Sequence, residues 1–235
     1  MIEVQNLVKN FGPIEVIKNI SFSIGPGEIL GFLGPNGAGK TTVMRILAGF
    51  YNPDSGIVKI NGITVNEDPL QYKNYTGYLP ENVPLYADMT VYEFLLFIAE
   101  IRLIPGKENA VSQTMELCGI ADRKNQRIET LSRGYRQRIG LAQAIIHDPP
   151  VLILDEPMTG LDPGQINEMR ILLKELGTRK TVIFSTHILS EAESVCSRFL
   201  ILNQGRIAAQ GPMEHDKTGL ETIFTDLGGA ENDQA

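Results

Sequence analysis

Apolar and polar positions alternate along the start of the chain. In Ile2-Glu3-Val4-Gln5 and in Ile20-Ser21-Phe22-Ser23-Ile24 every second side chain is apolar, which predicts half-buried antiparallel strands. Gly25-Pro26-Gly27 predicts a turn. The alternation then stops. Glu28-Ile29-Leu30-Gly31-Phe32-Leu33 reads as a buried strand, and beyond it Val43, Ile46, Leu47 and Phe50 recur at helical spacing. Gly56-Ile57-Val58-Lys59-Ile60-Asn61-Gly62 is a further strand bounded by turn residues.

The texture changes near residue 85. Thr90-Val91-Tyr92-Glu93 fits a capping box, in which Thr90 and Glu93 satisfy the free N–H groups of a helix start. Phe94, Leu95, Ile98 and Ile101 continue an apolar helical face. Residues 85–148 contain no strong strand pattern, so they predict a helical insert between two halves of a sheet domain. Continuous apolar runs return at Val151-Leu152-Ile153-Leu154 and Val182-Ile183-Phe184, as expected of parallel strands covered on both faces. Phe199-Leu200-Ile201-Leu202, Asn203-Gln204-Gly205 and Arg206-Ile207-Ala208-Ala209 predict a closing hairpin. Gly228 to Ala235 is polar, the composition of a mobile tail.

Length and composition narrow the class. The 235 residues, 43% hydrophobic and 21% charged, suit one large soluble globular domain. No apolar run is long enough to span a bilayer, and Met1-Ile2-Glu3-Val4-Gln5 lacks the features of a signal peptide. A cytosolic chain is expected, with any membrane role arising through a partner. The net charge of −7 argues against duplex nucleic acid as the main ligand. Cys118 and Cys196 have no metal-ligand spacing and read as reduced packing residues. The three histidines are not paired at ligand spacing, which argues against a protein-held zinc.

The candidate chemistry begins with Gly34-Pro35-Asn36-Gly37-Ala38-Gly39-Lys40-Thr41. It fits G-x-x-x-x-G-K-[ST] in the required context of strand, glycine loop and helix. Glycines let successive N–H groups turn inward as an anion-binding nest. Lys40 can reach the β- and γ-phosphates of a nucleotide, and the Thr41 hydroxyl can ligate Mg²⁺. The run Val151–Leu154 delivers Asp155 and Glu156 to the C-terminal end of a strand, where open α/β sheets bind ligands. Asp155 is expected near Mg²⁺, and Glu156 one step further out, placed to take a proton from attacking water. In Leu131-Ser132-Arg133-Gly134-Tyr135-Arg136-Gln137-Arg138, Ser132 falls at a helix start, because Tyr135, Ile139, Ala142 and Ile146 share a helical face behind it. That makes a second anion site. If the two devices cannot meet within one chain, two chains can meet head to tail and share two nucleotides.

With these motifs in order, the chain resembles the nucleotide-binding subunit of ABC transporters from about Ile2 to Leu227. The resemblance implies an α/β fold: a RecA-like P-loop NTPase core with an N-terminal antiparallel β-subdomain and an inserted α-helical subdomain. It implies one domain over 1–227, with 1–84 and 149–227 forming the β-subdomain and core, 85–148 the helical part, and 228–235 a tail. It implies ATP and Mg²⁺ as cofactors. Phe11 matches an aromatic that stacks on adenine, and Val16 a residue beside that ring. Gly34 through Thr42 correspond to the phosphate loop. Ser132 and Gly134 match the signature that contacts the γ-phosphate held by the other protomer. Gly160-Leu161-Asp162 looks like the loop joining the two sites, and His187 like the histidine linked to the γ-phosphate.

Three positions depart from the family pattern. Glu81 stands where Gln usually ligates Mg²⁺, and a carboxylate can do the same. Arg133 and Tyr135 replace the first Gly and the Gln of the usual Leu-Ser-Gly-Gly-Gln. The Tyr78-Leu79-Pro80-Glu81 segment and the ending Gly219-Leu220-Glu221-Thr222-Ile223-Phe224 look most like the branch pairing with separate export permeases. The resemblance thus implies an ATP-driven clamp of two subunits, alike or different, on the cytoplasmic face of the cell membrane. It would power a transmembrane permease, with no nucleic acid expected. A soluble ABC-type ATPase acting on nucleic acid, ribosomes or cofactor assembly is the alternative. A P-loop GTPase is disfavoured because no guanine-reading Asn-Lys-x-Asp is present.

Overall fold

The computed structural model describes residues 1–213. The tail expected at Gly228–Ala235, the segment Gly219 to Phe224 and the expected domain end at Leu227 lie outside the described residues. In chain order the first elements are β1 (Ile2–Phe11), β2 (Ile14–Ile24), β3 (Ile29–Leu33), α1 (Lys40–Leu47), β4 (Ser55–Ile60), α2 (Pro69–Asn74) and β5 (Thr76–Leu79). The helical stretch holds α3 (Val91–Ile101), α4 (Lys107–Leu117) and α5 (Arg133–Ile145). Then follow β6 (Val151–Asp155), α6 (Pro163–Gly177), β7 (Thr181–Thr186), α7 (Leu189–Val195), β8 (Arg198–Asn203) and β9 (Arg206–Pro212).

Two sheets form, as the alternation and the continuous runs require. The antiparallel sheet has order β2-β1-β4 and buries Ile2, Val4, Ile20, Phe22 and Ile24 while their polar neighbours face solvent. The larger sheet has order β5-β6-β7-β3-β8-β9, parallel except for the β8–β9 hairpin. Every residue of β3, β6 and β7 is buried. Because side chains alternate across a strand, Leu30, Phe32, Val151, Ile153 and Ile183 join a core that also holds α1 and the antiparallel sheet. Leu33, Leu152, Leu154, Val182 and Phe184 join the opposite core, with α5, α6 and α7.

The helical stretch shares that second core rather than owning one. Phe94 and Leu95 of α3, Val111 and Met115 of α4 and Ile139 of α5 belong to the same apolar cluster as Leu154. The expected capping box is present: the Thr90 hydroxyl accepts from the Glu93 N–H at 3.2 Å, and Glu93 accepts from the Thr90 N–H at 2.8 Å. Two expectations need correction. Phe50 lies past the end of α1 and is 68% exposed, and Ile101 at the end of α3 is 62% exposed. Both sit where the chain turns away from the core, so helical spacing continued beyond the surface it could cover.

Register places the chemistry. β7 lies between β6 and β3, with Asp155 opposite Ser185 and Leu33 opposite Thr186. The ends of three adjacent parallel strands therefore open side by side into the phosphate loop, the acidic pair and His187.

Candidate active site

The loop between β3 and α1 is built around glycines whose backbone conformations or close neighbours disfavour a side chain. Gly34 has φ 154°, and a Cβ there would stand 2.2 Å from the Leu202 carbonyl oxygen. Gly37 and Gly39 have φ of 80° and 108°, a region that strains residues with a Cβ. The loop wraps Lys40, whose side chain is only 6% exposed. Its ammonium donates to the carbonyls of Gly34 at 2.7 Å and Pro35 at 3.2 Å, and lies 3.6 Å from Glu156 Oε1. Burial pulls the Lys40 pKa below its ordinary range, and the charge and hydrogen bond of Glu156 oppose that pull.

Asp155 ends β6 with Oδ1 accepting from Ser185 Oγ at 2.6 Å and from Thr41 Oγ1 at 3.2 Å. Its other oxygen, Oδ2, is buried and has no hydrogen-bond partner. Burial pushes the Asp155 pKa above the ordinary range, and the two hydroxyl bonds resist it. A buried orphan carboxylate oxygen beside a threonine hydroxyl fits a hard divalent cation such as Mg²⁺. Mg²⁺ takes few protein oxygens and keeps phosphate and water oxygens for the rest of its shell. Ser185 also accepts from the Glu156 N–H at 3.0 Å, so one hydroxyl positions both acids.

Glu156 has φ 49°, an uncommon left-handed conformation for this residue. The bend turns its carboxylate toward the loop. His187 Nδ1 lies 3.0 Å from Glu156 Oε2, and Thr159 Oγ1 donates to the same oxygen at 3.1 Å. His187 is carried by the loop after β7, where the Thr186 hydroxyl donates to buried Glu191 at 2.6 Å and accepts from the Ile188 N–H at 3.0 Å.

Most of the predicted residues converge. Val16, Asn36, Gly37, Gly39, Lys40, Thr41, Thr42, Glu81, Glu156 and His187 line one cavity of about 480 Å³. Gly34, Pro35 and Ala38 form the loop behind it, and Asp155 reaches it through Thr41. Four residues do not join. Phe11 ends β1 outside the lining, with its ring edge-on to Tyr51 at 5.5 Å between centroids. Ser132 sits exposed at the start of α5, as expected, with no side-chain cap bond. Gly134 packs against Gln165, where a Cβ would lie 2.4 Å from that side chain's oxygen. Asp162 caps α6, accepting from the Gln165 N–H at 2.9 Å, which commits its carboxylate to the helix. The signature segment and the phosphate loop of one chain thus do not share a cavity. Thr159 and Ser185 were not singled out from the sequence. Their roles come from proximity to the acids, which no motif spacing announces.

The ABC transporter family model matches residues 17–159. An uncharacterized ABC transporter ATP-binding protein, YxlF of Bacillus subtilis (strain 168), is 37% identical over 96% of this chain and 76% of its own length. The bacitracin transport ATP-binding protein BcrA of Bacillus licheniformis is 36% identical over 92% of this chain and 71% of its own. A solved structure described as an ATP binding subunit of an ABC transporter superposes with TM-score 0.87 at 28% identity, covering 97% of this chain and 99% of that one.

Proposed function

The chain belongs to the ABC transporter family as an ATP-binding, ATP-hydrolysing subunit, and from that premise we propose that it powers export by a separate transmembrane permease at the cytoplasmic face of the cell membrane. Likeness to a bacitracin transport ATP-binding protein supports the transport role, and the Tyr78-Leu79-Pro80-Glu81 segment motivates the export direction. Among the described residues no helix is long and apolar enough to cross a membrane.

The observation that carries the permease reading is a second cavity of about 600 Å³ beside the first. Phe50, Tyr78, Pro80, Pro84, Ile98 and Ile101 line it, and exposed Phe50 packs on Tyr78 at 5.3 Å between centroids. Large apolar groups left in a surface groove mark a protein-binding site. Glu81 lines the nucleotide cavity while its neighbours Pro80 and Asn82 line the groove. A single short segment therefore touches both nucleotide and partner. On this reading, a movement at Glu81 on nucleotide binding is passed to whatever part of the permease occupies the groove.

In the catalytic cycle, the loop amides and Lys40 hold the phosphates. An entering γ-phosphate competes with Glu156 for the Lys40 ammonium and releases Oε1 toward water. Glu156 then accepts the proton of the attacking water, while His187 and Thr159 hold Oε2 in place. When bound, Mg²⁺ neutralises charge on the phosphates, held by Thr41, Asp155 and Glu81. Exposed Ser132 and packed Gly134 are presented for the nucleotide of a second subunit, alike or different. Phe11, 43% exposed at the end of β1, is the residue proposed to meet adenine.

The test is a pull-down from detergent-solubilised membranes with the tagged Glu156→Gln chain and Mg-ATP. A polytopic membrane protein recovered in near-equal amount is expected. Recovery of ribosomes, nucleic acid or soluble protein alone would instead favour a soluble ABC-type ATPase.

A further inference from the structure

We infer that Arg133 and Thr159 are positioning residues for Glu156, linked through the turn at Gly160. The inference rests on the reading of Glu156 as the base that accepts the water proton. Residues 156–159 close on themselves twice. The Thr159 N–H donates to the Glu156 carbonyl at 3.2 Å, and the Thr159 hydroxyl donates to the Glu156 carboxylate at 3.1 Å. The orientation of Glu156 therefore follows that of the turn. The next residue, Gly160, has φ 73°. A Cβ on it would stand 2.5 Å from Arg133 Cζ and 2.6 Å from Arg133 Nε, so the guanidinium lies directly on the turn. Arg133 is exposed overall and has no ion pair among the described residues, so its observed contact is the one with Gly160.

A second contact fixes the same junction. Gly134 packs against Gln165, and Gln165 belongs to the capping box that starts α6 with Asp162. The start of α5 thus presses on the 160–165 segment at two places, through Arg133 and through Gly134. Any shift of α5 displaces Gly160, then the Thr159 hydroxyl, then the Glu156 carboxylate. The arginine that departs from the usual signature becomes the part that reports the position of the helical region to the acid.

Steady-state ATPase measurements on the full chain test this. Thr159→Val should lower kcat about tenfold with KM within about twofold, since it removes a hydrogen bond to a charged group without removing a phosphate contact. Thr159→Ser, which keeps the hydroxyl, should restore turnover to within about twofold. Arg133→Ala should lower kcat about three- to tenfold at unchanged ATP affinity, and Arg133→Lys should recover part of it. The double variant should be no slower than Thr159→Val alone, because Arg133 acts through Thr159. Full activity of Thr159→Val would overturn the inference. Multiplying losses in the double variant would overturn it as well, because Arg133 would then act independently of Thr159. The reference is Glu156→Gln: normal turnover there would remove the base itself, a result distinct from failure of the link.

Discussion

Lys40 Nζ lies 3.6 Å from Glu156 Oε1, and both side chains are almost fully buried. The cation and the carboxylate thus partner each other. Each stabilises the charge of the other in a place where an unpaired charge would be costly. In the proposed cycle, phosphate resolves the pair by taking over the lysine.

Lys40→Met should abolish that exchange. ATP turnover is expected to fall at least about a hundredfold, the scale seen when a transition-state charge donor is removed. The nucleotide-free variant should also lose about 2 kcal/mol of stability. That is less than a wholly broken buried pair, since His187 and Thr159 still bond Glu156. Denaturant midpoints without nucleotide check the second effect, and an unchanged midpoint would contradict it.

Asp155→Asn separates metal binding from folding. The Mg²⁺ concentration for half-maximal turnover should rise at least about tenfold. Burial raises the folded pKa of Asp155 above the unfolded one. Its stabilising contribution is therefore present below the ordinary Asp pKa, about 4, and is lost as pH rises through the folded value. At pH 7.5 and without divalent ions the variant should melt no lower than the parent, and any advantage should shrink toward about pH 4. Calorimetry at the two pH values reads the sign.

His147 supplies an independent pH test. Its Nε2 lies 3.1 Å from the Thr76 carbonyl oxygen, and its Nδ1 is buried without a partner. Burial, aided by the charge of Arg102, lowers its pKa to about 4. A depressed histidine contributes stability that is present above its unfolded pKa of about 6.5 and lost as pH falls toward the folded value. Between pH 7 and pH 4 the parent should lose about 2 kcal/mol more than His147→Gln, a figure discounted for partial exposure of the ring. Parallel denaturation curves for the two proteins should converge at low pH.

Ile101→Glu tests the groove. The side chain is 62% exposed, so stability should change by less than about 0.5 kcal/mol. ATP affinity should be unaltered, whereas co-purification of the membrane partner should fall about tenfold or more. Full recovery of the partner would place its docking surface elsewhere.

The parallel strands were legible because burial on both faces leaves unbroken apolar runs, as at Val151–Leu154. β5 was not, because four residues with Gly77 among them carry too little pattern. α6 is absent from the sequence reading, although its capping pair, Asp162 with Gln165, and its apolar face at Met169, Leu172, Leu173 and Leu176 are signals that could have found it. The motif reading takes Gly160-Leu161-Asp162 as the loop joining two protomers' sites; within one chain the Asp162 carboxylate caps α6. Phe50 and Ile101 followed helical spacing yet face solvent, since periodicity does not record where the covering surface ends.

The sequence by itself determined the phosphate loop, the acids at the end of a buried strand and the helical stretch between two halves of a sheet. These are local: a glycine φ, a run length or a capping pair is set by neighbours in the chain. Only the tertiary structure decided that Asp155 meets Ser185, that Thr159 and His187 hold one oxygen of Glu156, and that Arg133 rests on Gly160. Those partners come together through strand register and helix packing across long stretches of chain. It is also packing that parts Ser132 and Gly134 from the cavity of their own chain, because α5 begins against α6 and not against the phosphate loop.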